Sequence, residues 1–386
     1  MKIQGVNITG GIRLDPPATP TPTPTGPSKF VVGARYSDDP DNSGSAYVYN
    51  TDGTGEVKLT ASDAAANDYF GESVAVSDTH IVVGAYANDD PGTQSGSAYV
   101  YNLDGTGEVK ITASDAAAGD YFGYSVAATN THVVVGAYLN DDAGISSGSV
   151  YVYNTDGTGE QKITASDAAT SDLFGYSVAA TDTHIVVGAY GDNSQKGAAY
   201  VYNLDGTGEV KITASDGAAA DLFGFSVAIS DTKVIVGAYA DDNTGSNSGS
   251  AYVYNLDGTG EVKITASDAA AGDQFGRSVA MSDTHVVVGA TGDADAGSNT
   301  GSVYVYNTDG TGEQKITASD AAANDYFGIS VAISDTKVVV GALLTDIVGS
   351  NSGCVYVYNT DGTGEQKIQA SDAASDDQFG RSVAIN

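Results

Sequence analysis

The pair Phe-Gly returns seven times, with its phenylalanine at Phe70, Phe122, Phe174, Phe223, Phe275, Phe327 and Phe379, so successive copies lie 52, 52, 49, 52, 52 and 52 residues apart. A fixed period means one supersecondary unit copied along the chain, and no other feature constrains the fold as much. A second landmark, Val-Gly-Ala, keeps the same beat with Gly33, Gly84, Gly136, Gly188, Gly237, Gly289 and Gly341. The unit from Phe70 to Tyr121 contains four short runs rich in β formers, GESVAVS, HIVVGAY, GSAYVYN and EVKITAS. Asp-Thr separates the first two, a Gly/Ser/Asn/Asp stretch the next two, and Asp-Gly-Thr-Gly, a strong hairpin signal, joins the third to the fourth. The SDAAAGDY that follows sets Ser-Asp ahead of three alanines, which predicts a capped single helical turn before the next copy. Four strands in each such unit make one blade of a β-propeller.

The ends of the chain agree with that reading. It enters its first unit midway, at KFVVGARY, and leaves its last after FGRSVAIN. One blade therefore takes its first strand from the C-terminal segment and its other three from the N-terminal segment, and their pairing closes a ring that leaves no sheet edge bare. A solenoid of β coils would repeat at shorter periods and need capped ends. The expectation is an all-β, seven-bladed β-propeller over residues 28–386, with four antiparallel strands per blade and the ring closed by the terminal strands. Within a blade the first strand lies beside the central axis, where small Ser-Val-Ala and Gly-Ala fit, and the bulkier Tyr-Val-Tyr lies further out. Each Phe of Phe-Gly is expected to pack as a knob between blades, burying about 150–250 Å² as aromatic side chains do. Its glycine allows a sharp turn or a close approach of backbones.

Charge removes several function classes. The chain carries 49 acidic residues against 16 lysines and arginines, a formal net charge of −33, so its field repels nucleic acid and anionic lipid. No apolar run is long enough to cross a membrane as a helix, and the opening MKIQGVNITGGIRLDPP lacks the apolar core of a secretory signal. Cys354 is the only cysteine, which leaves packing and hydrogen bonds to hold the fold.

At Phe-Gly-x-Ser-Val-Ala, Val-Gly-Ala and Gly-x-Val-Tyr-Val-Tyr, recurring in order seven times, the chain resembles the FG-GAP repeats of integrin alpha subunits and of bacterial FG-GAP proteins. The resemblance covers residues 28–386 and implies a propeller used for extracellular recognition and adhesion. Such blades often hold calcium in an Asp-x-Asp-x-Asp-Gly loop between their first and second strands. Here that connection is only SDTH, TNTH or SDTK, so the calcium site is not carried over. Residues 1–27 lie outside the resemblance. PPATPTPTPTGP reads as an extended Pro/Thr linker, and MKIQGVNITGGIRL before it resembles the N-terminal segments of marine bacteriophage virion proteins.

Propeller geometry sends the loops joining strands 2 to 3 and 4 to 1 to one face. Those loops hold 28 aspartates, and the basic residues expected near them are only Arg35 and Lys196, the repeated Glu-x-Lys of strand 4 being placed on the opposite side. Two sets of positions vary on this acidic face, where otherwise near-identical copies leave room for specialisation. After Phe-Gly come Glu72, Tyr124, Tyr176, Phe225, Arg277, Ile329 and Arg381, near the channel mouth; after Gly-Ala come Arg35, Tyr86, Tyr138, Tyr190, Tyr239, Thr291 and Leu343. A tyrosine rim with scattered charges suits a protein or glycan surface, since rings stack and hydroxyls hydrogen-bond. Drift at exposed sites is the competing account. Acidic stretches such as Asn88-Asp89-Asp90 and Asp293-Ala294-Asp295 raise calcium, but solvated turn-forming aspartate explains them, and turn capping explains the recurring Asp115 and Asp120.

Catalysis finds less support. His80, His132, His184 and His285 share one repeat position with Lys29, Lys233 and Lys337, and a catalytic base is not interchangeable with lysine around a ring. They read as solvated or Asp-paired residues at a strand edge. Cys354 stands where other copies have Ser or Ala. The expectation is a non-enzymatic recognition propeller without cofactor, extracellular, on a virion surface as an appendage or decoration protein docked through residues 1–27. The alternative is a bacterial cell-surface or extracellular adhesin, and a polysaccharide-acting enzyme ranks behind both.

Overall fold

The computed structural model describes residues 28–37 and 41–386; residues 1–27, read above as peptide and linker, and residues 38–40 lie outside the described residues. Seven four-stranded antiparallel sheets are ordered as simple meanders. In the blade that begins at Phe70 the strands are Ser73–Val76, His80–Ala85, Ser97–Asn102 and Val109–Ile111. The first strands of successive blades touch one another all the way round, which places them at the axis. Ring closure is as the phase of the termini predicts: Ser382–Ile385 pairs with Lys29–Ala34, Phe30 opposite Ile385 and Gly33 opposite Ser382.

The core is divided into seven clusters, one at each interface between blades. The second strand is apolar on both sides because both sides are covered, so it reads as a continuous run rather than an alternation. The third strand alternates. In Ser45–Asn50, Tyr47 and Tyr49 face the preceding blade, and Ala46 and Val48 face the following one. Phe70 is fully buried where the ring-closing blade meets the next, edge-on to Tyr99 and Tyr101 with centroids 5.4 and 6.3 Å away. Such pairs contribute about 0.5–1.5 kcal/mol beyond the area they bury.

Glycine is required at two places in each copy. Gly123, after Phe122, has φ of 89°, and a β-carbon on Gly84 would collide with the Gly123 carbonyl of the next blade. That carbonyl accepts a hydrogen bond from Ser73 Oγ at 2.9 Å, so the small residues near the axis seat one backbone on another. The linker SDAAAGDY departs from expectation, forming two tight turns instead of a helical one. Ala116 N–H bonds Ala113 O, Asp120 N–H bonds Ala117 O, and left-handed φ at Gly119 (86°) and Tyr121 (58°) interrupts any helical run. Among the described residues the one helical stretch, Asp192–Gln195, holds left-handed Asn193 and Ser194 and is a turn in the shortened loop of its blade.

Candidate binding site at the channel mouth

Each residue after Phe-Gly sits at the head of the innermost strand of its blade, as Glu72 does just before Ser73, and follows a glycine of positive φ, so its side chain reaches the axis at one end of the channel. Glu72, Tyr124, Tyr176, Phe225, Arg277, Ile329 and Arg381 line a cavity of about 190 Å³ there. Tyr86, Tyr138, Tyr190 and Tyr239 pack immediately outside. Together they build an aromatic crescent: Tyr86 to Tyr124 is 5.5 Å between centroids, Tyr124 to Tyr138 4.6 Å, Tyr176 to Tyr190 4.6 Å, Tyr176 to Phe225 5.0 Å and Phe225 to Tyr239 4.5 Å. The hydroxyls of Tyr124 and Tyr176 bond at 3.1 Å. Burial pushes the Tyr124 and Tyr176 phenols well above their ordinary range, keeping this wall neutral.

Charge at the mouth is concentrated in two places. Glu72 is 5% exposed and shared by two guanidiniums: Arg381 Nη2 donates to its Oε1 at 2.6 Å and Arg35 Nη1 to its Oε2 at 2.8 Å. Burial alone would push Glu72 up, but the guanidiniums of Arg381 and Arg35 outweigh it and hold the carboxyl below its usual range. Arg277 lies across the crescent's other end, 5.3 Å from the Phe225 ring centre and 5.1 Å from that of Tyr239. All ten sequence candidates, Glu72, Tyr124, Tyr176, Phe225, Arg277, Arg381, Tyr86, Tyr138, Tyr190 and Tyr239, therefore meet at one end of the channel.

The surrounding acidic loops are less bare than the sequence reading placed them. The strand-4 lysines, assigned there to the opposite side, reach back into these loops. Lys110 Nζ lies 2.6 Å from Asp63 and 3.1 Å from Asp90, and Lys263 Nζ lies 2.6 Å from Asp216 and 2.8 Å from Asp241. The same clamp joins Lys58 to Asp372, Lys162 to Asp115, Lys211 to Asp167, Lys315 to Asp268 and Lys367 to Asp320. In each case the aspartate also accepts from a third-strand tyrosine, as Asp115 does from Tyr151 at 2.8 Å. Asp115 is thus an inter-blade anchor rather than a turn cap; Asp120, which accepts from Ala117 N–H at 3.0 Å, is the cap. A second clamp runs beside it, for Glu108 accepts from Tyr101 OH at 2.8 Å and from Ser62 Oγ of the preceding linker. The missed signal was the co-recurrence of Ser-Asp, Tyr-Val-Tyr and Glu-x-Lys, one unit apart.

Among the described residues one carboxylate trio is close enough to hold a metal ion, Asp268, Asp293 and Asp295. Lys315 Nζ already lies 2.7, 2.8 and 2.5 Å from the three, so the cluster has its cation. The histidines are partnered by threonine, not aspartate: Nδ1 of His80, His132, His184 and His285 lies 2.8 Å from the preceding Thr Oγ1. Lys29, Lys233 and Lys337 instead donate to an asparagine of the third strand. Cys354 is buried, its thiol pushed up by burial and 3.4 Å from Thr345 Oγ1. No catalytic constellation is evident among the described residues.

Among curated proteins no relative matches the chain. Among solved structures, TolB from Acinetobacter baumannii superposes with a TM-score of 0.49 and 12% identity, covering 93% of this chain and 66% of that one, so the chain spans just under two thirds of TolB's length. The FG-GAP repeat profile matches residues 54–101, 106–153, 158–202, 207–254, 259–306, 311–358 and 363–386. Each full match runs from the hairpin before an outer strand to the Tyr-Val-Tyr strand of the next blade, so the first holds Asp63 and Tyr99 of one clamp, whose Lys110 lies in the second. With these repeats spanning most of its length, the chain belongs to the FG-GAP repeat family.

Proposed function

We propose that this chain is a non-enzymatic recognition propeller of the extracellular, cell-surface adhesin type, which meets a glycan or protein surface with the tyrosine-lined channel mouth. One observation carries the reading. Positions that clamp blades together keep one chemistry in all seven copies, whereas the mouth position carries Glu, Tyr, Tyr, Phe, Arg, Ile and Arg. A structural ring would repeat; an asymmetric ring of stacked aromatics and guanidiniums offers a shaped surface. Membership in the FG-GAP family supports an adhesive role. The finer reading, in which residues 1–27 dock the propeller onto a virion, is supported only by the likeness of that peptide.

Tyr138→Ala and Tyr190→Ala test the proposal in glycan-array and surface-capture measurements. Each should weaken binding by roughly tenfold or more while the thermal transition persists, as loss of an aromatic anchor does. Binding unchanged by both, or polysaccharide turnover lost on substituting a single aspartate, would overturn it. Assembly that depends on residues 1–27 would select the virion form.

A further inference from the structure

We propose that the channel mouth recognises a carboxylate-bearing sugar, a uronic-acid type residue, with Arg277 as the group that takes the carboxylate. The proposal rests on the recognition reading above and names its ligand class. Arg277 is the observation that carries it. Among the described residues its guanidinium forms no ion pair and donates no hydrogen bond; its contacts are the faces of Phe225 and Tyr239, and it lines the cavity. A scarcity of acid does not explain this, for the chain has 49 acidic residues and every outer-strand lysine has found an aspartate. A half-buried fork of N–H donors without acceptors is costly, and stacking on two rings holds it ready for a planar anion.

Local charge favours an anion as well. At the mouth Arg35, Arg277 and Arg381 face the single carboxylate of Glu72, a surplus of two positive charges on a chain of net charge −33. Carboxylate repulsion from the outlying loops is screened beyond about 8 Å at physiological ionic strength, whereas a direct guanidinium contact is not. The rest of the cavity selects a sugar. Its volume of about 190 Å³ is several times a water's share of liquid, roughly 30 Å³. Its wall beside Arg277 is formed by Phe225 and Tyr176, flat faces against which the C–H side of a pyranose ring packs.

Titration of the full chain with tetragalacturonate and with its methyl ester, which keeps the rings and removes the charge, tests this. The free acid should bind roughly 10- to 100-fold more tightly than the ester, the range that hydrogen bonds to a charged group supply. Arg277→Gln should erase that difference, and Arg277→Lys should restore part of it. Equal binding of acid and ester, an acid preference that survives in Arg277→Gln, or no binding of either would overturn the inference. So would Arg277-dependent capture of a sulfated sugar or an aspartate-rich peptide in place of the uronate. Neutral-glycan or protein binding that is lost in Tyr138→Ala but kept in Arg277→Gln would leave the recognition reading standing while this inference fell.

Discussion

The channel has two mouths, each ringed by one residue from every blade, and they follow different rules. At the end opposite the candidate site, the turn between the first two strands supplies Asp78, Asn130, Asp182, Asp231, Asp283 and Asp335 in six blades, and in the seventh Asn386 stands at the position of Ser77, one place earlier. Only Asp and Asn occupy that turn position in the six. They link neighbouring turns, as when Asp78 N–H donates to Asn130 Oδ1 at 3.1 Å and Asn386 Nδ2 to Ser77 O at 2.9 Å. Tight turns accept few residue types, so the copies stay alike. At the candidate site the ring position also closes a turn, Glu72 N–H bonding Tyr69 O at 3.1 Å, but there the preceding glycine takes the special conformation, and the seven copies diverge into Glu, Tyr, Phe, Arg and Ile. One end is therefore held by turn chemistry and the other is free to be specialised.

The comparison breaks most visibly if the charged part of the varied ring is replaceable. Glu72→Gln removes the one carboxylate that two guanidiniums share across the closure of the ring, between the blades of Arg381 and of Glu72. Breaking a buried pair costs about 3–5 kcal/mol, and since the arginine side chains are 20–22% exposed the expected loss is about 2–3 kcal/mol. Denaturant unfolding measures it. A loss below about 0.5 kcal/mol, the usual scale of a plain surface change, would mean the triad has no part in closure.

A second prediction sharpens the contrast by moving to the perimeter, where copies are alike but their surroundings are not. Lys315 meets three carboxylates, of which Asp293 is nearly buried, and Lys367 meets Asp320. Lys315→Met should cost about 1–2 kcal/mol at neutral pH by stranding a buried carboxylate, and Lys367→Met about 0.5 kcal/mol as an exposed pair does. Asp268 and Asp320 feel burial first, which raises them, but the ammonium and tyrosine hydroxyl beside each prevail and hold them below their usual range. A depressed carboxylate stabilises the fold above its unfolded value of about 3.9, and that contribution fades as pH falls through the folded value. Both deficits should therefore shrink below about pH 3.9. Asp273 and Asp325 run the other way: burial raises them, so what they contribute is present in acid and lost as pH climbs through their folded values. Equal costs for the two lysine variants would show that the clamps are uniform despite their different loops.

Most of this architecture was legible from the period alone. Seven Phe-Gly pairs gave the blades, the half units at Lys29 and Ser382 gave the closure, and the glycines of Val-Gly-Ala marked where backbones touch. Two things were not legible. The linker's left-handed Gly119 and Tyr121 are set by docking against the loop between the second and third strands of the same unit, where Tyr121 N–H bonds Gln94 O, and a window of eight residues contains no sign of that contact. The lysine clamps escaped because strand assignment fixes where a backbone ends, not how far a four-carbon side chain reaches. Lys110 starts from the outermost strand and still finds aspartates in two different loops. The site was half legible: variation within the repeat picked out the ring, but only coordinates separate Arg381, already held by Glu72, from Arg277, which no carboxylate among the described residues holds.

The smallest expected effect bears most directly on the two mouths. Asp283 is exposed in the uniform ring, and one of its five counterparts, Asn130, is already asparagine. Asp283→Asn keeps the side-chain oxygen that a turn uses and removes one of four carboxylates crowded about a cavity of about 540 Å³. The change in stability should lie within about 0.5 kcal/mol, the ordinary range for a surface site. Its sign should be stabilising at low salt, through relief of like-charge repulsion, and it should fade toward 1 M salt as the screening length falls to about 3 Å. Thermal unfolding of the variant across a salt series reads both. A loss greater than about 1 kcal/mol, or a gain that ignores salt, would mean that Asp283 has a partner of its own, and the turn-bound mouth would then be as specialised as the aromatic one.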